Sequence, residues 1–190
     1  MVREGSDAVR VWTKQSSIVL DILESEGRYV AKRKFVKRRD ENNFVVGLYD
    51  WLARNHPGRY TAPSDAEYPV WLSLAEEATM GLTPGTVLLE LEIPDELIFT
   101  INVVKWTAIM NRLYIPADEA DEKRHRELMK SYRQSDATAY QSTFFPQLKK
   151  EIEDSWIRLF DDSVGNKDGL VYGNVWQLKK EWLVKATKAK

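Results

Sequence analysis

The chain has 190 residues, with 28 Lys and Arg against 29 Asp and Glu, so its formal net charge is −1. It contains no cysteine, which excludes a disulfide framework, zinc–thiolate and iron–sulfur sites and a cysteine nucleophile. A chain of this length buries enough surface to fold without a metal staple, and no apolar stretch reaches the ~18 residues of a membrane-spanning helix. The expectation is a cytoplasmic protein with no membrane partner, a single globular domain over 1–190 in which 1–8 and 187–190 are flexible ends.

Val9, Val11 and Thr13 alternate with Arg10, Trp12 and Lys14, which predicts a short strand. Ser16 or Ser17 can cap the next helix, whose apolar positions Ile18, Val19, Ile22 and Leu23 make one stripe. Gly27 suits the left-handed residue that ends it. A strand is predicted over 28–36. A second helix is predicted from about Asn43 to Arg54, terminated by His56-Pro57-Gly58. Tyr68 to Leu72 reads as a strand that Pro69 confines to a start or an edge. Ser73-Leu74-Ala75-Glu76 has the pattern of a capping box, so a short helix is expected to follow at once.

Thr86 to Ile93 alternates cleanly, with Leu89, Leu91 and Ile93 set against Glu90 and Glu92. A further strand is expected from about Leu97 to Ile101, and Asn102 can cap a helix containing Val103, Trp106 and Met110. A charged helix is predicted over 116–132, with Glu119/Lys123 and Glu122/Arg126 as i,i+4 pairs. Residues 133–145 read as loop or irregular helix. Pro146 opens another helix, with Leu148, Ile152, Trp156, Leu159 and Phe160 as its buried stripe. A last strand is expected to place Trp176, Leu178, Trp182 and Val184 on one face. This order gives an α+β fold, a mixed and mostly antiparallel sheet flanked by helices.

Seven cations fall in twelve residues: Arg28, Lys32, Arg33, Lys34, Lys37, Arg38 and Arg39, with no acid among them. They read as a phosphate-tracking surface for nucleic acid or nucleotide, or as a solvated edge guarded by charge. Of the seven tryptophans, Trp51, Trp106, Trp156, Trp176 and Trp182 fall on apolar stripes and are expected in the core. Trp12 and Trp71 sit on short strands beside Thr13 and Ser73, a pattern that suits either core packing or the wall of a flat-ring site. Neither His56 nor His125 has a metal-ligand partner at useful spacing, so no metal is expected. The common phosphate-binding loops and the Gly-x-Ser-x-Gly motif are absent.

Val11-Trp12-Thr13-Lys14-Gln15, Tyr68-Pro69-Val70-Trp71-Leu72-Ser73 and Val175-Trp176-Gln177-Leu178 together resemble the family known as domain of unknown function 3841, over about residues 9 to 186. More distantly, the chain is similar to ADP-ribosyltransferase-like domains. In those, a first strand runs directly into a helix, a second ends in Ser or Thr before a short helix, and a late strand supplies an acidic or amide residue. The resemblance implies an NAD site. Trp12, Thr13, Tyr68, Trp71 and Ser73 would hold the cofactor, and Thr13, Ser73 and Gln177 or Glu181 would be the catalytic set. Thr13 stands where that family usually has His or Arg, and Gln177 can hydrogen-bond where the family's Glu stabilises a cationic sugar. Lys32, Arg33, Lys34, Lys37, Arg38 and Arg39 would take a diphosphate or a nucleic-acid acceptor. Two other readings remain open, a non-catalytic RNA- or DNA-binding module and a protein-interaction domain; the sequence leaves the oligomeric state open.

Overall fold

The computed structural model describes residues 7–37, 45–79, 81–165 and 169–189. Its elements are β1 (Ala8–Ser16), α1 (Ser17–Glu26), β2 (Arg28–Tyr29), α2 (Arg33–Lys37), α3 (Val46–Asn55), β3 (Val70–Ser73), β4 (Thr86–Pro94), β5 (Phe99–Asn102), α4 (Val103–Met110), α5 (Glu119–Ser131), α6 (Asp136–Gln141), α7 (Pro146–Ser155), β6 (Val171–Val175), β7 (Leu178–Lys179) and β8 (Leu183–Lys188), with 3₁₀ turns between several of them. The fold class is α+β. Six strands form one sheet in the order β5-β6-β3-β1-β4-β8, and β2 pairs with β7 separately. The chain divides into two compact units, one within Met1–Thr100 and Tyr172–Lys190, the other Ile101–Val171. No helix among the described residues is long and apolar enough to cross a membrane.

In the first unit β1 and β4 pair antiparallel from Ala8↔Pro94 to Ser16↔Thr86. Paired residues share a face, because side chains alternate along each strand. Val9, Val11 and Thr13 therefore lie beside Ile93, Leu91 and Leu89, on the side that packs against Val19, Leu20 and Leu23 of α1. Leu72, Val70 and Val175 extend this core across β3 and β6. Gly173 sits within it because a Cβ there would meet Ile98 at 3.0 Å, Leu74 at 3.2 Å and Leu72 at 3.3 Å. Gly27 ends α1 in the left-handed conformation at φ 75°, as its position in the sequence predicts.

Three predicted elements are corrected. The segment 28–36 is not one strand. Tyr29 ends β2, Ala31 makes a single bridge to Tyr68, and Arg33–Lys37 turns into α2, whose first amide is capped by Glu67. The predicted capping box does not form. Ser73 stays in β3 opposite Tyr172, and only a 3₁₀ turn follows at Glu76–Ala78. The predicted last strand is three pieces, β7, a 3₁₀ turn that buries Trp182, and β8. β6, ahead of them, was not anticipated.

A second, smaller cluster joins Val30, Ala53, Ala66, Tyr68 and Trp176. His56 lies beside it with 3% exposure. Its Nδ1 accepts from the Gly58 amide at 3.0 Å and from Trp176 Nε1 at 3.3 Å, and its ring meets Phe99 edge-on. Nδ1 accepts, so the ring's proton is on Nε2 and the ring is neutral. Burial lowers its pKa to about 4.

In the second unit Asn102 caps α4 by accepting from the Val104 and Lys105 amides. Asp118 caps α5, Ser135 caps α6, and Pro146 starts α7 as expected. Trp156 is fully buried, donates from Nε1 to Leu113 O and stacks on Tyr140. The pair Glu122/Arg126 forms at 2.7 Å.

Two consequences are measurable. A Cβ at Gly58 would stand 2.4 Å from the Phe99 ring, so Gly58→Ala should destabilise the fold by about 1–3 kcal/mol in a denaturant midpoint experiment. The unfolded imidazole titrates near 6.5 and His56 in the fold at about 4. Above pH 6.5 both states are neutral; below it the unfolded chain takes a proton that the folded chain refuses. Stability should therefore fall between pH 6.5 and about 4 by up to ~3 kcal/mol, and His56→Asn should flatten the slope of thermal midpoint against pH.

Candidate functional site

The sheet face turned away from α1 in the first unit gathers the unusual residues. Trp12 on β1 stands opposite Glu90 of β4 and Ser73 of β3. Trp71 stands opposite Asn174 of β6, and Ser73 opposite Tyr172. The three strands β6, β3 and β1 are neighbours in that order, so Trp12, Trp71, Ser73, Tyr172 and Asn174 share one face. Trp12, Trp71 and Tyr172 are half-buried. Trp71 and Tyr172 meet edge to face with centroids 6.5 Å apart. Tyr49 of α3 hydrogen-bonds with Trp71; burial pushes its phenol up and that bond opposes the effect. Asn174 has no exposed surface. Its Nδ2 donates to Gly173 O, and its Oδ1 has no hydrogen-bond partner among the described residues. A buried acceptor without a donor carries a cost of about 1–3 kcal/mol.

Charge lines the same face. Arg10 pairs with Glu90 at 3.1 Å and Glu92 at 2.6 Å, and Lys14 Nζ donates to Gly81 O.

The other residues singled out in the sequence lie elsewhere. Thr13 is on the α1 side of β1, 3% exposed, where its Oγ donates to Trp71 O at 2.8 Å and accepts from Gln15 Nε2 at 2.7 Å. Thr13 and Ser73 are thus on adjacent strands but opposite faces. Tyr68 precedes β3, at the end remote from Ser73, and donates to Asp50 Oδ1 at 2.6 Å. Gln177 lies two residues past the Val70↔Val175 pair, beyond the end of β6, and is not paired with the strand that carries Ser73. Glu181 is exposed on the 3₁₀ turn before β8, 3.1 Å from Lys179. The late-strand residues that do join Trp71 and Ser73 are Tyr172 and Asn174. Their signal in the sequence was the alternation of 171–175, obscured by the glycine at its centre.

The basic stretch is matched by acids from distant positions. Arg28 pairs with Asp65 at 2.8 Å, Lys32 with the same carboxylate at 3.8 Å, and Arg33 with Asp50 at 2.9 Å. Lys34 sits over the Phe35 ring at 5.1 Å. Lys37 closes α2; Arg38 and Arg39 lie outside the described residues.

In the second unit a charged cluster surrounds His125, which is 6% exposed. Its Nδ1 is 3.0 Å from Glu151 and its Nε2 3.1 Å from Asp136. Its ring lies flat on Tyr114, 3.8 Å between centroids at 8°. Burial would lower the imidazole pKa, but the hydrogen bonds and charges of the two carboxylates outweigh it and raise it. Asp121, despite burial, is held at about 2 by the Ala117 amide, Arg124, Tyr114 and Arg158. A cavity of about 350 Å³ adjoins, lined by Tyr114, Gln147, Lys150, Glu151, Asp154, Ser155 and Arg158. No spacing rule reveals this cluster, since the partners of His125 come from 11 and 26 positions downstream. Among the described residues no group of three or more His, Asp or Glu side chains is placed to hold a metal ion.

No curated protein and no solved structure matches the chain. One family model does match, over residues 10–184. That span carries both the Trp12–Trp71–Tyr172 face and the His125 cluster, and the chain accordingly belongs to the family described as a domain of unknown function, DUF3841.

Proposed function

We propose that this chain is an ADP-ribosyltransferase-like domain that binds NAD or a related nucleotide on the sheet face formed by Trp12, Trp71, Tyr172, Ser73 and Asn174. The observation that carries the reading is the adjacency of β1, β3 and β6. It sets the first strand, the Ser-ended second strand and a late strand side by side, with their aromatic and polar side chains on a common face. β1 also runs without a gap into α1, and a short 3₁₀ turn follows Ser73 closely, as the resemblance implies.

The residues fit a nucleotide in kind. Half-buried indole and phenol rings offer stacking surface, worth about 1–3 kcal/mol per base. The Asn174 Oδ1 is a buried acceptor suited to an amide or exocyclic amine donor. Asn174 has no exposed surface, so a ligand reaches it only when a covering side chain moves. A diphosphate at the rim would compete with Glu90 and Glu92 for Arg10 and with Gly81 O for Lys14. Transfer of ADP-ribose, beyond binding, calls for a carboxylate beside the ribose. Glu90 and Glu92 are carboxylates of this face, both held by Arg10, and Glu90 is the one opposite Trp12. The nucleic-acid alternative is weaker, since Arg28, Lys32 and Arg33 are engaged by Asp65 and Asp50.

Titration with NAD should change tryptophan emission, and Trp71→Ala should weaken binding about tenfold or more, with Gln177→Ala leaving it unchanged. No response at millimolar NAD would remove the reading. Binding without nicotinamide release would leave a nucleotide-binding domain without transferase activity.

A further inference from the structure

The His125 cluster has a property independent of the nucleotide reading. Both ring nitrogens face carboxylate oxygens, Nδ1 toward Glu151 of α7 and Nε2 toward Asp136 at the start of α6. A neutral imidazole has one N–H and one lone pair. Either neutral tautomer would therefore aim a lone pair at a carboxylate about 3 Å away in a buried site. The geometry suits only the imidazolium.

The surrounding charges agree. Arg124 bonds Asp121, Glu151 and the Tyr114 hydroxyl. Arg158 pairs with Asp121 at 3.1 Å and lies over the Tyr114 ring. Asp136 also accepts from the Tyr114 amide, and Asp121 from the Ala117 amide. Among the described residues, the charged groups that face the ring directly or through one partner are the cations His125, Arg124 and Arg158 and the anions Asp121, Asp136 and Glu151. The set is neutral only while His125 holds its second proton. Once that proton leaves, Asp136 and Glu151 keep their charge and face an imidazole with a single N–H, so one of them loses its donor. Glu151 still accepts from Arg124 of α5, which leaves the Asp136 tie between α6 and α5 as the one that the proton controls.

We propose that His125, Asp136 and Glu151 form a proton-operated latch that fastens α6 and α7 to α5 and sets the wall of the adjoining cavity. Glu151 of the latch and Tyr114, which stacks on His125, both line the cavity, so release of the proton changes the cavity as well as the helix junction. The sign is fixed by the geometry. A group held protonated in the fold stabilises it fully below its unfolded pKa, and that contribution is lost as pH rises through the folded value. The latch closes in acid and opens in base.

The chain has two histidines, and the fold pushes them in opposite directions, so ring-nitrogen NMR of the full chain resolves them. One imidazole should carry protons on both nitrogens at pH 6.5 and titrate above it; that signal should vanish in His125→Gln, and its midpoint should drop in Asp136→Asn. The other should stay neutral down to about pH 4. In hydrogen exchange corrected for intrinsic rates, protection of the α6 amides should fall about tenfold across the His125 midpoint, the equivalent of one charge-assisted hydrogen bond. A neutral His125 at pH 6.5 would overturn the proposal. So would a raised midpoint with α6 protection unchanged, which would make the cluster a static ion pair. If His125→Gln fails to fold, the wild-type chain and Asp136→Asn supply both readouts.

Discussion

The antiparallel pairing of β1 with β4 is the constraint on which the first unit rests. Nine residues of β1 are in register with nine of β4. Because side chains alternate, that register sorts the two strands in one step. Val9, Val11, Leu89, Leu91 and Ile93 go to α1, and Arg10, Trp12, Lys14, Glu90 and Glu92 go to the other side. A slip of one residue would bury Arg10 and Glu90 and expose the leucines. The rest of the sheet follows from this choice. Trp12↔Ser73 fixes β3, and Leu72↔Gly173 fixes β6 against it. The aromatic and polar residues of the far face gather there because the apolar ones are committed to α1.

The two histidines illustrate opposite solutions to burial. His56 packs edge-on against Phe99 and Trp176, and burial is what makes it shed its charge. His125 is as deeply buried but is held between Asp136 and Glu151, so it keeps its charge. Burial disfavours a charge in both places; only the partner decides whether another effect exceeds it. The same logic explains the basic stretch. A run of cations with no acid within it along the chain meets Asp65 and Asp50 once the chain folds back.

Local physics was legible wherever a pattern was local. β4 could be read from Leu89, Leu91 and Ile93 against Glu90 and Glu92, α7 from Pro146 and its stripe, the end of α1 from Gly27, and the start of α4 from Asn102. It failed where a distant partner overrode a local preference. Ser73 has the spacing of a helix cap, yet Tyr172 of β6 holds it in a strand. Residues 28–36 could have continued as a strand, but β2 has only the two-residue β7 to pair with, and Glu67 caps a helix instead. In β6, Gly173 was the residue that close strand packing required, and it hid the strand.

The candidate site divides along the same line. The sequence by itself determined that Trp12, Trp71 and Ser73 sit on short strands next to helix or turn starts, because strand alternation and chain order act over a few residues. It also determined the membership in DUF3841, which the family match bears out. Only the tertiary structure decided which of those residues share a face, since that depends on the register between strands far apart in the chain. The register placed Thr13 behind the sheet, carried Gln177 past its end, and brought in Tyr172 and Asn174. The protonated state suited to His125 is likewise a product of the fold, because its two carboxylates approach only when α6 and α7 pack against α5.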